Sequence, residues 1–210
     1  MLPPTIPIFP LPNVVLFPNV FLPLHIFEER YRVMVADALR GDRIIGMVLL
    51  RPDYQADYDG RPPIYPIGCA GVISHAEQLE DGRYNIVLRG IEKFHVTSEE
   101  HERVYRVAQV TAMAESPSAA DREQLRKDRL RIEALMAAAI ERTGADPRFP
   151  PAVPDEDLVN ALAQYLEFEP IERQALLERE GILARCRGII ELLEMKTLTR
   201  GTHWTGRSVH

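Results

Sequence analysis

Over the first 113 residues the apolar positions come in short runs, cut by proline as far as residue 66. In TIPIFPLPNVVLFPNVFLPLHI, Thr5 to Ile26, prolines at 7, 10, 12, 18 and 23 break an otherwise apolar stretch. Proline cannot donate to a sheet ladder and stops helices, so it is tolerated at strand ends, edges and bulges. The pieces between the prolines read as extended segments, Ile6 to Phe9, Val14 to Phe17 and Val20 to Leu24, with turn chemistry at Pro12 and Asn13. After Ile26 the period becomes helical and puts Phe27, Tyr31, Met34, Val35, Ala38 and Leu39 on one face. Glu28 and Glu29 in its first turn and Arg40 in its last complement the helix dipole, and Gly41 suits the C′ position. Extended pattern resumes at Ile44 to Leu50, is interrupted by the polar loop RPDYQADYDGRPPIYP (51–66), and returns at Ile67 to Leu79. A turn at Glu80 to Gly82, with a hairpin signal at Asp81-Gly82, leads into the alternating Tyr84 to Leu88; Phe94 and Val96, then Val104 to Met113, follow. So many extended segments in so short a length favour a closed or nearly closed barrel with proline corners.

Near Glu115 the pattern turns helical. Ser118 and Asp121 form an approximate capping box ahead of Leu125, Ile132, Leu135, Met136, Ala139 and Ile140, and Gly144 with the loop Pro147 to Pro154 ends the run. A second helix from Asp155 aligns Leu158, Ala161, Leu162, Tyr165 and Leu166; a third starts with Pro170 at N1. Gly181 separates it from a fourth carrying Ile182, Cys186, Ile189, Ile190 and Leu193. The expected class is α+β: a β-barrel subdomain with one inserted helix over 1–115, a helical bundle over 116–196, and a C-terminal tail over 197–210.

Composition narrows the functional classes. The 210 residues are 46% apolar and 27% charged, as in an ordinary globular protein. The net charge of -6 gives no long-range field toward nucleic acid or anionic lipid, although local basic patches remain open. Cys69 and Cys186 are the only thiols and lie far apart, which suggests neither a disulfide framework nor a zinc site. No Lys or Arg precedes Arg30, proline cuts each apolar run, and no run reaches the ~18 residues of a membrane span, so a cytoplasmic protein is expected.

Motifs with chemistry are incomplete. His101-Glu102-Arg103-Val104-Tyr105 misses the second histidine of HExxH, so a solvated charged turn is the better reading. His75 and Glu77 echo the HxE of zinc deaminases without the PCxxC partner. None of the serines sits in a GxSxG elbow, Glu99, Glu100 and Glu102 read as a solvated connection, and His25 as a hydrogen-bonded structural histidine. Two features suit recognition instead. Tyr54, Tyr58 and Tyr65 crowd the 51–66 loop, and tyrosine gives large contact area at small entropy cost; the alternative is that their rings cover the barrel mouth. Trp204, the single tryptophan, lies in the tail, where its ring could anchor that segment.

The ordered blocks IPIFPLPNVVLFPNVFLPLHIFEERYRVMVADAL, IGCAGVI and DGRYNIVLRGIEKFHV resemble the N-terminal domain of the Lon ATP-dependent proteases, and DEDLVNALAQYLEFEPIERQALLERE with ARCRGIIELLE is similar to the helices that follow it there. The resemblance implies a PUA-like pseudobarrel joined to a helical bundle, in the region of Lon that engages substrate polypeptide. ATP hydrolysis and peptide cleavage lie downstream in that family, and no GxxxxGK[ST] stretch occurs here. The expectation is therefore a non-catalytic module without cofactor, metal or catalytic residues. It would bind unfolded or partner polypeptide through barrel loops, with Tyr54, Tyr58, Tyr65 and Trp204 as candidate contacts and self-association left open. RNA binding is the alternative, since PUA-like barrels elsewhere recognise RNA, but the acidic balance weighs against it. An unrecognised hydrolase comes third.

Overall fold

The computed structural model describes residues 2–52, 54–57, 60–140 and 153–202, and the side chains of all but 56–57, 138–140 and 197–202. In chain order the elements are β1 (Thr5–Leu11), β2 (Phe21–Ile26), α1 (Glu29–Arg40), β3 (Ile44–Leu49), β4 (Ile67–Gln78), β5 (Tyr84–Glu100), β6 (Val107–Met113), α2 (Ala119–Ile140), α3 (Asp155–Tyr165), α4 (Pro170–Glu178) and α5 (Ile182–Thr202). They fall into two compact units, the first Met1–Glu115 with Ala163–Glu178 and the second Ser116–Leu162 with Arg179–His210. The architecture is α+β.

In the first unit the strand order is β2-β5-β4-β3-β1-β6, and β6 returns to pair with β5. The length of β5 makes this closure possible. Its first part, Tyr84 to Arg89, pairs with β2, and its last part, Lys93 to Glu100, pairs with β6. The alternation suggested two short segments here; the structure has one strand of 17 residues, so Glu99 and Glu100 belong to a strand and not to a solvated connection.

The prolines of β1 are explained by a change of partner. Thr5 to Pro7 pair with β6, and Ile8 to Leu11 pair in parallel with β3. Each of Pro7 and Pro10 thus has one flank outside the ladder, where a missing N–H costs little. The stretch Val14 to Phe17, expected to be extended, is a loop. Its apolar character reflects burial: Val15, Leu16 and Phe17 are all buried, and Asn19, at φ 60, turns the chain so that its N–H donates to the Gly90 carbonyl at 2.9 Å.

Ile6, Ile8, Val48, Ala70, Phe94, Ala108 and Val110 fill the barrel. The Phe94 ring takes the space left by two glycines. A Cβ on Gly46 would lie 2.8 Å from Phe94 Cζ, and one on Gly68 would lie 2.7 Å from the same atom. On the opposite face of β1, Phe9 packs on Tyr31 of α1 with ring centroids 4.3 Å apart, and α1 buries Tyr31, Met34, Val35 and Ala38. Phe27, placed on that face by the periodicity, precedes the helix and is 62% exposed. Gly41 does not take the left-handed conformation of a C′ residue (φ -111); Arg43 does (φ 60), and its N–H reaches back to the Ala38 carbonyl at 2.9 Å. The Asp81-Gly82 turn joins β4 to β5 with Gly82 at φ 79. Helix α4 begins at Pro170, and Gln174 Nε2 donates to the Ile67 carbonyl at the start of β4 (2.9 Å). Buried Lys93 ties β5 to α4 by donating to the Leu177 carbonyl (3.1 Å) while paired with Glu115 at 2.8 Å.

In the second unit the capping box is formed: the Asp121 N–H donates to Ser118 Oγ (3.1 Å), and the Ser118 N–H to the Asp121 carboxylate (2.9 Å). Helices α2 and α5 pack together, with Arg131 and Glu194 paired at 2.5 Å. Arg185 on α5 is fully buried and donates to Asn160 Oδ1 at 2.7 Å. Of the expected bundle, the described residues hold α2 against α5, whereas α4 belongs to the first unit. Helix α5 runs through Thr202, so positions 197–202, read as the start of a tail, are helical. Among the described residues no helix is long and apolar enough to cross a membrane.

Candidate functional site

The β5–β6 connection and Gly60 to Pro62 of the loop 51–66 border a concavity of about 310 Å³ on the first unit. Four guanidinium groups line it, from Arg30 at the start of α1, Arg61 in the loop, and Arg103 and Arg106 in the connection. Pro10, Tyr31, Leu50, Pro62 and Val104 supply apolar wall. A second hollow of about 190 Å³, between β1 and the end of α1, shares Arg103 and Tyr105 with the first.

Each arginine is held by a carboxylate set behind the surface. Arg106, nearly buried, makes a two-pronged pair with Glu99 of β5, Nε to Oε2 at 2.8 Å and Nη2 to Oε1 at 2.5 Å, and its Nη1 donates to the Pro62 carbonyl at 2.7 Å. Arg61 stands 3.7 Å from the same carboxylate and donates to the Glu100 carbonyl at 3.0 Å. Arg30 pairs with Glu28 at 3.0 Å and lies over the Tyr31 ring. Arg103 Nη1 donates both to Asp37 Oδ2 (3.1 Å) and to the Tyr105 hydroxyl (3.0 Å), which itself donates to Asp37 Oδ2 at 2.7 Å. Burial, and then the hydrogen bond to Asp37, raise the Tyr105 phenol above its ordinary pKa, so it stays a donor at physiological pH. Tyr105 is the residue that stood in place of the second HExxH histidine; it is a buried strut.

The tyrosine loop meets this concavity through Gly60, Arg61 and Pro62. Tyr54 lies half-buried on a 3₁₀ turn (Tyr54–Asp57), and Tyr65 is half-buried with the Arg51 guanidinium over its ring at 5.5 Å. Tyr58 and Trp204 lie outside the described residues. Pattern reading missed the arginines because Arg30, Arg61 and Arg103 belong to no common motif and only the barrel brings them together. The one available signal was the pair of arginines, Arg103 and Arg106, flanking Val104 and Tyr105 at the start of the last expected extended segment.

A second surface is the strand β2, at the edge of the sheet. Phe21, at its start, is 51% exposed, and Phe27, just beyond its end, stacks on His25. Tyr165, expected on the buried face of its helix, is 66% exposed, and its hydroxyl donates to the Phe21 carbonyl at 2.8 Å. His25 is hydrogen-bonded to Asn85 at 2.8 Å, but at an exposed position. Among the described residues no group of three or more His, Cys, Asp or Glu is arranged to hold a metal ion.

Five strands closed into a ring by the β5–β6 pairing, with β2 added as an edge strand and one inserted helix, define a PUA-like domain of α+β type. The chain belongs to the family of the ATP-dependent protease La (LON) substrate-binding domain, whose model matches residues 5–195. It is 29% identical over 203 residues to Lon protease 2 of Myxococcus xanthus, covering 93% of this chain and 24% of that protein. With the Lon protease of Anaeromyxobacter dehalogenans it shares 26% identity over 203 residues, again covering 24% of the relative. The chain thus spans about a quarter of the length of these relatives. Its fold is similar to the N-terminal domain of the Mycobacterium avium complex Lon protease, with a TM-score of 0.68 at 15% identity over 90% of this chain and 98% of that one. It is also similar to the Lon N-terminal domain protein from Xanthomonas campestris, with a TM-score of 0.58 at 23% identity over 90% and 97% of the two chains.

Proposed function

We propose that this chain is a non-catalytic, cytoplasmic module that binds exposed segments of client or partner polypeptides. Membership in the LON substrate-binding family supports a substrate-binding role. The observation that carries the finer reading is the edge of β2. A strand at a sheet edge offers backbone donors and acceptors to any extended chain, whatever its sequence, and alternate apolar side chains of that chain need apolar neighbours. Phe21, Phe27 and Tyr165 supply them. Pro23 in the middle of β2 removes one donor, which shortens the usable ladder and discourages pairing between copies. Tyr54 and Tyr65 serve as secondary contacts at the rim of the same unit.

The test is fluorescence anisotropy with a labelled, permanently unfolded polypeptide. The wild-type chain should bind it with little dependence on salt, and Phe21→Asp combined with Phe27→Asp should weaken binding at least about tenfold while the exposed positions leave the melting temperature nearly unchanged. Unaltered binding by the double variant would move the site elsewhere. Steeply salt-dependent binding of RNA, with none of polypeptide, would replace the reading by the RNA alternative.

A further inference from the structure

We propose that the arginine-lined concavity is a carboxylate-binding subsite, which takes a carboxylate carried on an apolar polypeptide segment; this rests on the polypeptide-binding reading. The first argument is charge. Four guanidinium groups line the concavity, and the carboxylates that hold them, Glu28, Asp37 and Glu99, are not part of its lining. Glu99 is shared between Arg61 and Arg106, and Asp37 between Arg103 and Arg40; among the described residues that line the concavity none is acidic, so the face it offers to an entering group is cationic.

The second argument is donor geometry. Among the described residues Arg103 makes its bonds to Asp37 and Tyr105 through Nη1 alone, and its side chain is 58% exposed, so Nε and Nη2 remain available to an entering acceptor. A guanidinium edge of this kind fits the two oxygens of a carboxylate. Its orientation is set in advance by Asp37 and the Tyr105 hydroxyl, which lowers the ordering cost of binding. The third argument is the neighbouring wall. Val104 is 69% exposed beside Arg103, with Pro10 and Leu50 on the same concavity, so an apolar side chain next to the carboxylate finds cover. The volume of about 310 Å³ is at the lower end for small-ligand sites, room for one or two residues of a chain. Two sources carry this chemistry, the carboxylate at the end of a polypeptide and an internal Asp or Glu side chain.

The experiment measures affinity of the intact chain for three labelled peptides of one apolar sequence: the free acid, the C-terminal amide, and the amide with a single internal Glu. The free acid, the Glu peptide, or both should bind about tenfold more tightly than the plain amide, and which one does identifies the source. Arg61→Gln with Arg103→Gln should erase that preference and leave affinity for the plain amide unchanged. Arg103→Lys, which keeps the charge but loses the fork, should retain only part of it. Equal affinity for all three peptides, or a preference that survives the double variant, overturns the subsite and leaves the polypeptide reading standing. If no peptide binds, the polypeptide reading falls. The subsite is then decided by titrating N-acetyl-leucine against its amide: shifts of the arginine Nε–H resonances with the acid alone support it, and no shift with either overturns it.

Discussion

The Phe94 ring and the two glycines around it give the sharpest test of how this barrel is packed. Replacing Gly46 by Ala places a methyl 2.8 Å and 2.9 Å from Phe94 Cζ and Cε1, and 2.9 Å from Ile6 Cδ1. Comfortable carbon contacts are about 3.5–4.0 Å, so the methyl is roughly 0.6 Å or more too close. Overpacking of this size costs about 1–3 kcal/mol, offset by about 0.4–1 kcal/mol from the smaller entropy of the unfolded chain. A net loss of about 1–2 kcal/mol is expected. Phe94→Leu alone should cost a similar amount, because Leu leaves part of the ring volume empty. Yet Leu has no atoms where Cζ and Cε1 stand, and the remaining neighbour, Ile6 Cδ1, is the tip of a side chain that can turn. The two changes together should therefore cost about 1–2 kcal/mol less than the sum of the singles. Urea unfolding followed by circular dichroism of the sheet, for all four proteins of the cycle, reads the coupling directly. Additivity within about 0.5 kcal/mol would refute the idea that these glycines are there to admit the ring.

Glu99→Gln should destabilise the first unit by about 1–3 kcal/mol in a thermal melt, because nearly buried Arg106 loses its two-pronged partner, whereas Glu100→Gln at the next, exposed position should change little. The Asp81 carboxyl, hydrogen-bonded by the Arg83 side chain and backbone, is lowered to about 2. Its folded pKa lies below the unfolded value, so its contribution to stability is present above about pH 4 and is lost as pH falls through about 2. The Asp81 carboxyl resonance should titrate near that value, and Asp81→Asn should remove this part of the acid sensitivity; titration near 4 would contradict the hydrogen-bonded turn.

Elements whose pattern was imposed by local chemistry could be read from the chain. The Asp81-Gly82 turn, the Ser118 capping box and Pro170 at the head of α4 each stand where the residue types placed them, because one or two hydrogen bonds decide each feature. Where tertiary burial decides, the pattern misleads. Val15, Leu16 and Phe17 look like a strand but are a buried loop, and Tyr165 looks like a core residue but has its ring in solvent and its hydroxyl on a strand carbonyl. The length of β5 was hidden because its alternation is lost between Leu88 and Phe94, where Gly90 permits close approach: a Cβ there would collide with the Phe17 carbonyl. The arginine concavity was illegible for another reason. Its charges come from α1, a loop and the β5–β6 connection, and no spacing rule joins residues whose only relation is the closure of a barrel.

The edge of β2 and the arginine concavity meet at the start of α1. Phe27 ends the exposed edge, and Arg30, on the concavity, is three residues on, so their Cα atoms are at most ~11 Å apart along the chain. An extended client advances about 3.3 Å per residue, so some three residues bridge that interval, a few more if the path bends. A client that lies along the edge and also reaches the arginines then gains the second contact without a further loss of translational freedom, and its effective concentration at the second site depends on the length of the bridge. For peptides with one apolar block and one terminal carboxylate, affinity should rise as the flexible spacer between them grows from none to about three or four residues and then decline slowly. Arg61→Gln with Arg103→Gln should flatten that profile while sparing the apolar block's own affinity, and Phe21→Asp with Phe27→Asp should lower it at every spacing. A profile flat in the wild-type chain would mean that the two surfaces never share one polypeptide, and each would then have to find its own ligand.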